Sequence, residues 1–260
     1  MADGQTGRAL IAYLCVKMRI MKKTFLLLSL LFLGSQAKSQ VWLELVGRGM
    51  YGLRGFYNQT IIDDRNHNYH LSTAPAFGGG LGLNLGDMHG INLEALWATN
   101  RQSFDFDDGN NTLLTNKIEW KTLEAVLLYR LYTGASYLEI GPKWVMLRGI
   151  TQSLDEVPLA DVAKSYAQAY PAAVLGVGGF LAGSSDFSLR IGLRVEYAFT
   201  DFVTESGKAA NYPAPYVVPP YDALSSTNPF SASVYLEFNL PIGGIAKAGC
   251  GQRAFILGGR

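Results

Sequence analysis

Residues 188–199 read SLRIGLRVEYAF. Leu189, Ile191, Leu193, Val195, Tyr197 and Phe199 fall on one side of a two-residue period, and Arg190, Gly192, Arg194, Glu196 and Ala198 fall on the other. That period belongs to a β-strand, whose successive side chains leave opposite faces of the pleat. One face is wholly apolar and the other carries three charges, so the two faces need different surroundings. In a soluble protein the apolar face is the core. In an outer-membrane barrel it meets lipid, and the charged face lines the interior.

Seven more stretches alternate in the same way: 41–53, 77–85, 91–104, 118–132, 137–147, 171–181 and 230–240. Turn signals at 86–90, 133–136 and 183–186 make short connections. The other connections, at 54–74, 107–111, 152–169 and 203–229, are longer or strongly polar, and the last holds Pro213, Pro215, Pro219, Pro220 and Pro229. Proline in that density disfavours ladder pairing. Eight strands with short and long connections in strict alternation fit a bacterial barrel with both ends on the periplasmic side.

Composition and the front of the chain agree. Only 17% of the 260 residues are charged, against about 25% in an average soluble domain. Residues 21–40, MKKTFLLLSLLFLGSQAKSQ, have the layout of a secretory signal peptide: two lysines, an apolar run, and Ser35-Gln36-Ala37 as an A-x-A-like cleavage site. The alternative is an anchor helix, but the run from Phe25 to Leu33 falls short of the ~20 residues a spanning helix needs. Residues 1–20 precede this second methionine and read as a mis-assigned upstream start. Residues 1–40 hold six of the 22 basic and one of the 21 acidic residues, which leaves 16 and 20. No basic patch then argues for nucleic acid. Cys250 is the only thiol beyond Cys15, so no internal disulfide is expected.

The polar faces carry Glu44, Arg48, Glu94, Glu124, Arg130, Glu139, Lys143, Arg190, Arg194, Glu196 and Glu237 at mid-strand. Six are acidic and five basic. An eight-stranded barrel is just wide enough inside for side chains to fill, and buried charges need partners. These eleven are therefore expected to pair across the interior. Glycines at 80, 82 and within 174–180 would make room for them. A soluble lipocalin-like barrel would instead turn the apolar face inward around a ligand. The aromatics Tyr51, Trp97, Trp120, Tyr129, Trp144, Tyr197 and Phe199 are expected to form girdles at the two membrane interfaces.

GLGLNLG (80–86), LEAVLLYRLY (123–132), YLEIGPKW (137–144) and YLEFNLPIGG (235–244), behind a lysine-started signal, resemble the PorT-like outer-membrane β-barrel domain common in Bacteroidetes. The resemblance spans about residues 41–243 and implies the fold and the compartment. For function it implies at most a role in protein secretion, that of the member for which the family is named. Residues 244–260 follow the expected last strand as a departure from the family pattern.

Chemistry is sparse. Asp63, Asp64, His67 and His70 lie together in DDRNHNYH. They could form a metal site or an Asp–His pair at the external rim; the plainer reading is a solvated polar loop tip. No GxSxG, HExxH, Walker or CxxC pattern occurs in residues 41–260. The expectation is an all-β chain: an eight-stranded antiparallel up-and-down transmembrane β-barrel with short periplasmic turns and long extracellular loops. It would be monomeric and non-enzymatic, with no cofactor or metal, in the bacterial outer membrane. Its surroundings would be outer-membrane lipid and lipopolysaccharide, with protein partners at the external loops or periplasmic turns in a structural, docking or secretion-assembly role. The alternatives are a small hydrolase or acyltransferase with its site in the first external loop, and a narrow pore.

Overall fold

The computed structural model describes residues 41–107, 113–184 and 186–244. The expectations for 1–20, 21–40 and the C-terminal extension after Gly244, Cys250 included, lie outside the described residues. Ten strands follow one another: β1 (Val41–Asn58), β2 (His67–His70), β3 (Thr73–Leu85), β4 (His89–Asp107), β5 (Leu113–Thr133), β6 (Ser136–Leu154), β7 (Val157–Pro158), β8 (Ala169–Gly183), β9 (Ser188–Ala198) and β10 (Thr227–Gly244). Eight of them form a wall in the order β1-β3-β4-β5-β6-β8-β9-β10, every neighbouring pair antiparallel, and β10 pairs back onto β1. The ring is closed, so each of its eight strands is paired on both sides, while the short β2 and β7 are each paired on one side.

The short turns are built for tightness. Gly86 and Gly134 take positive φ, +66° and +61°, at the β3–β4 and β5–β6 corners. The short β8–β9 connection lies at the same end, and the β1–β3, β6–β8 and β9–β10 connections gather at the opposite end, the mouth. There β2 pairs with β4 from His67↔Phe106 to His70↔Ser103, where β4 extends past the start of β3. The first long connection thus folds back as part of the wall.

The alternation resolves with the apolar side outward. Leu193 is 57% exposed and Leu127 47%, whereas Arg194 and Arg130 are fully buried. On β5 the apolar outer run goes from Leu123 to Leu131. At about 3.4 Å per residue and a tilt of about 40° this stands about 21 Å tall, close to the apolar band of a membrane barrel, about 25 Å. No helix among the described residues is long and apolar enough to cross a membrane; the strands are.

The interior has two storeys. Near the short turns it holds ionised side chains, with Met50, Leu96, Val126, Tyr137 and Tyr235 packed between them. Toward the mouth it holds an aromatic core in which Phe56, Phe104, Trp120, Tyr166 and Phe202 are buried. Trp120 is therefore no interfacial girdle residue; it lies inside, its ring 5.3 Å from that of Phe202. Phe202 comes from the β9–β10 connection. That segment is no free loop but a plug: Val203, Asn211, Ala214 and Val217 are buried, and Pro213 lends its carbonyl to Asn116 at 3.3 Å and Gln152 at 2.9 Å.

Candidate functional site

The charged interior is the candidate site, and it builds directly from strand register. The eleven residues expected inside are all buried. A twelfth joins them: Arg54, expected in the first loop, continues the inward alternation of β1 after Glu44 and Arg48 and is 1% exposed. With Arg54 the set holds six bases and six carboxylates.

They divide into two groups, each neutral as ionised. In the group toward the mouth, Arg54 Nη2 reaches Glu124 at 3.2 Å and Glu196 at 3.3 Å. Lys143 Nζ binds the same two carboxylates at 2.7 and 2.6 Å. Thr122 and Ser231 hydroxyls donate to Glu124 and Glu196 at 3.0 and 2.6 Å, and Arg54 Nε donates to Asn100 at 3.2 Å. The other group holds Arg48, Arg130, Arg190 and Arg194 against Glu44, Glu94, Glu139 and Glu237. Arg194 lies 2.7 Å from Glu139 and 3.2 Å from Glu94, Arg130 is 3.0 Å from Glu139, and Arg190 is 2.9 Å from Glu44 and 3.1 Å from Glu237. Arg48 pairs with Glu94 at 3.0 Å, with Glu139 at 3.3 Å, and with Glu237. Arg130 also pairs with Glu237.

Three of these pairs run across the full ring. Arg48 on β1 faces Glu139 on β6, Arg194 on β9 faces Glu94 on β4, and Arg130 on β5 faces Glu237 on β10. In a ring of eight, each pair joins strands four places apart, so each spans the lumen. Guanidiniums also lie over rings: Arg48 over Tyr235 at 4.3 Å, Arg190 over Phe180 at 4.7 Å and Arg130 over Tyr137 at 4.8 Å. Space for them comes from glycine where expected. A Cβ at Gly176 would sit 2.7 Å from the Glu139 carboxylate, and one at Gly178 would press on the Tyr137 ring. A cavity of about 20 Å³ beside Arg54, Lys143 and Glu196 has room for about one water.

At the mouth, the four loop residues do not meet. Asp64 accepts from Tyr221 at 2.5 Å and faces His67 Nδ1 at 3.0 Å, while His67 Nε2 faces the Tyr216 hydroxyl at 3.1 Å. His70 pairs instead with Asp105 at 2.7 Å, and Asp63 takes a hydrogen bond from Gln59 at 2.6 Å. The expected solvated loop tip is thus a latch that ties the β1–β3 connection to the plug. Among the described residues no His, Cys, Asp and Glu group could hold a metal ion. Burial pushes the His67 imidazole below its usual pKa against the pull of Asp64. Burial would raise Asp64, but hydrogen bonds from Tyr221, the Asn66 backbone and His67 hold it below the usual carboxylate range. Burial lifts both tyrosines, Tyr221 further through Asp64. Two hydroxyls do converge on Asp64 and His67, as a rim hydrolase would require. They are phenols with raised pKa values, and the His67 side chain is covered.

Sequence reading missed Arg54 and the inward amides Asn58, Asn116 and Gln152 that hold the plug. For Arg54, Asn58 and Asn116 the signal was present: each continues the two-residue inward period of its strand. Gln152 falls out of phase with Lys143, because the bulge at Arg148 shifts the period of β6 by one residue.

No family model and no curated protein matches the chain. Solved structures of similar fold include two outer-membrane proteins. One is the outer membrane protein OprG from Pseudomonas aeruginosa, 14% identical over 79% of this chain and 97% of that one, with a TM-score of 0.40. The other is Neisserial surface protein A (NspA), 9% identical over 77% of this chain and 96% of that one, with a TM-score of 0.35.

Proposed function

We propose that this chain is an integral protein of the bacterial outer membrane, a sealed barrel that carries its plugged mouth outside the cell as a docking platform. The observation that carries the reading is the pairing of charges across the lumen, under an aromatic plug and inside an apolar outer wall. Such a barrel is stable only with lipid around it, and it has no continuous lumen for solute. A structural or secretion-assembly role, with protein partners at the mouth or the periplasmic turns, is what remains for a membrane barrel without a conduit. The quoted strand motifs support a PorT-like, Bacteroidetes-type affiliation on their own. The protein acts as a monomer, because every strand of the eight-membered wall is paired on both sides and another copy cannot extend that wall.

Two measurements test this. Outer-membrane fractionation followed by electrophoresis with and without boiling should show a heat-modifiable band; a soluble periplasmic protein whose band never shifts refutes the membrane reading. Photocrosslinking from Val218, 85% exposed at the tip of the plug, should trap a protein partner on intact cells. Crosslinks only to lipid or to the chain itself would refute the docking role.

A further inference from the structure

The outer wall is not uniform around the barrel. Among the described residues, the outward faces of β1, β3, β8, β9 and β10 carry no charge, whereas those of β4, β5 and β6 carry the exposed cations Arg101, Lys117, Lys121 and Arg148 together with the acids Asp105, Asp107 and Glu119. Register stacks these directly on the apolar belt. Trp97, Leu123 and Met146 form one paired row, and the next outward row toward the mouth is Thr99, Lys121 and Gly149. Between Lys121 and Thr122 the β5–β6 register slips by one residue, and the extra residue is Arg148. This bulge places Arg148 and Gly149 together on the outer face beside Lys121, a common way to re-aim a side chain. Gly149 has open space where a side chain would be, which leaves a shallow seat between two cations.

The patch is only partly neutralised. Arg101 pairs with Glu119 at 2.8 Å, and Lys117 lies 3.9 Å from Glu156. Lys121 and Arg148 have no ion pair among the described residues. Trp97 and Trp144, 41% and 51% exposed, flank the belt below, where amphipathic rings sit at a headgroup boundary. A free pair of cations with an apolar wall beneath fits a ligand that has an anionic head and hydrocarbon chains.

We infer that Lys121 and Arg148, with Arg101 beside them, seat the phosphate of a phosphorylated glycolipid of the outer leaflet, its acyl chains lying over Trp97, Leu123 and Trp144. The inference rests on the outer-membrane reading above, which puts the mouth end at the outer leaflet.

The full chain in nanodiscs doped with lipid A tests it, with native mass spectrometry counting retained glycolipid. Each basic side chain near an anionic surface is worth about fivefold, so Lys121→Gln with Arg148→Gln should weaken retention about 25-fold. Lys164→Gln, at an exposed loop lysine, should leave retention unchanged. Fully dephosphorylated lipid A and phosphatidylglycerol should be retained poorly by the wild type, and millimolar inorganic phosphate should not displace lipid A. Equal retention by the double variant, equal retention of either control lipid, or displacement by free phosphate would each overturn the site while a heat-modifiable band leaves the barrel intact. A wild-type chain that gives no such band in the bilayer would overturn the membrane reading and the site with it.

Discussion

Replacing Arg54 with methionine keeps most of the side-chain length and removes one charge from the neutral group toward the mouth. Lys143 alone then faces Glu124 and Glu196, both buried, at 2.7 and 2.6 Å. Removing one partner of a buried ion pair costs about 3–5 kcal/mol, mainly because the other charge stays behind uncompensated. The Thr122 and Ser231 hydroxyls already donate to these carboxylates, which places the expected loss near the lower end, about 3 kcal/mol. Restoring neutrality should reverse most of it: Glu124→Gln added to Arg54→Met leaves Lys143 and Glu196 as a single pair, with a net coupling of about 1–3 kcal/mol. The assay is equilibrium unfolding in lipid vesicles by urea, followed through the heat-modifiable band, with Arg65→Met, at an exposed loop arginine, as the charge-matched control. If Arg54→Met unfolds with the control, or if Glu124→Gln brings no recovery, the neutral-group account of the interior is wrong.

The other expectations concern the wall, the core and the latch. Leu193→Arg places a charge on the belt between Val177 and Val234 and should cost about 2–4 kcal/mol if it lies near the midplane, seen as reduced assembly into vesicles; wild-type yield would contradict the outward assignment. Trp120→Ala should cost about 3–5 kcal/mol and raise proteolysis of the plug, where a true girdle residue would leave the plug untouched. His67 has a lowered folded pKa, so the unfolded chain binds more protons just below the usual imidazole value of about 6.5. Stability at the latch is therefore complete above that pH and falls as pH drops toward the folded value, with Asp64, also lowered, adding its loss further into the carboxylate range. The protection of residues 211–221 against hydrogen exchange, corrected for the intrinsic rate at each pH, should fall below about pH 6.5, and His67→Phe should flatten that response.

How much of this was legible follows from which physical rule each residue obeys. The wall was readable because a two-residue period with one apolar face is imposed on every spanning strand. Twelve residues set Arg190, Arg194 and Glu196 opposite an apolar face, and seven similar stretches with alternating short and long connections turned that charged face inward, where all three are buried. Arg54 was lost because the apolar outer face of β1 gives way to glycine and tyrosine near the mouth, so the strand seemed to end at Leu53. Trp120 was misassigned for a related reason. Above the belt the inside of the barrel is itself apolar, and hydrophobicity alone no longer says which way a side chain points. The plug was unreadable because its prolines exclude it from the ladder without saying what it packs on; that depends on Phe202 meeting Trp120, a contact between segments far apart in sequence. The partnering of Asp64 and His67 with tyrosines from the β9–β10 connection is non-local in the same way.

The two neutral groups also explain why the barrel can be sealed with charge at all. An ion pair taken out of water is seldom a net source of stability, and an apolar filling of equal volume would serve stability as well. What the ions add is discrimination. A one-residue slip of any wall strand would turn its carboxylate or guanidinium into lipid and strand the opposite partner. The pairs Arg48–Glu139, Arg194–Glu94 and Arg130–Glu237 each tie strands on opposite sides of the ring, so a slip anywhere is felt across the lumen. A wall rich in glycine at 47, 49, 78, 79, 80 and 82 has few side chains to fix its register and depends on such a device. Paired charge removal tests this. Arg194→Met with Glu94→Gln deletes one cross-barrel pair and leaves Arg48, Arg130 and Arg190 against Glu44, Glu139 and Glu237, still neutral, so the double variant should assemble better than either single one; equal failure of all three would mean that local packing, and not the charge pairing, sets the register.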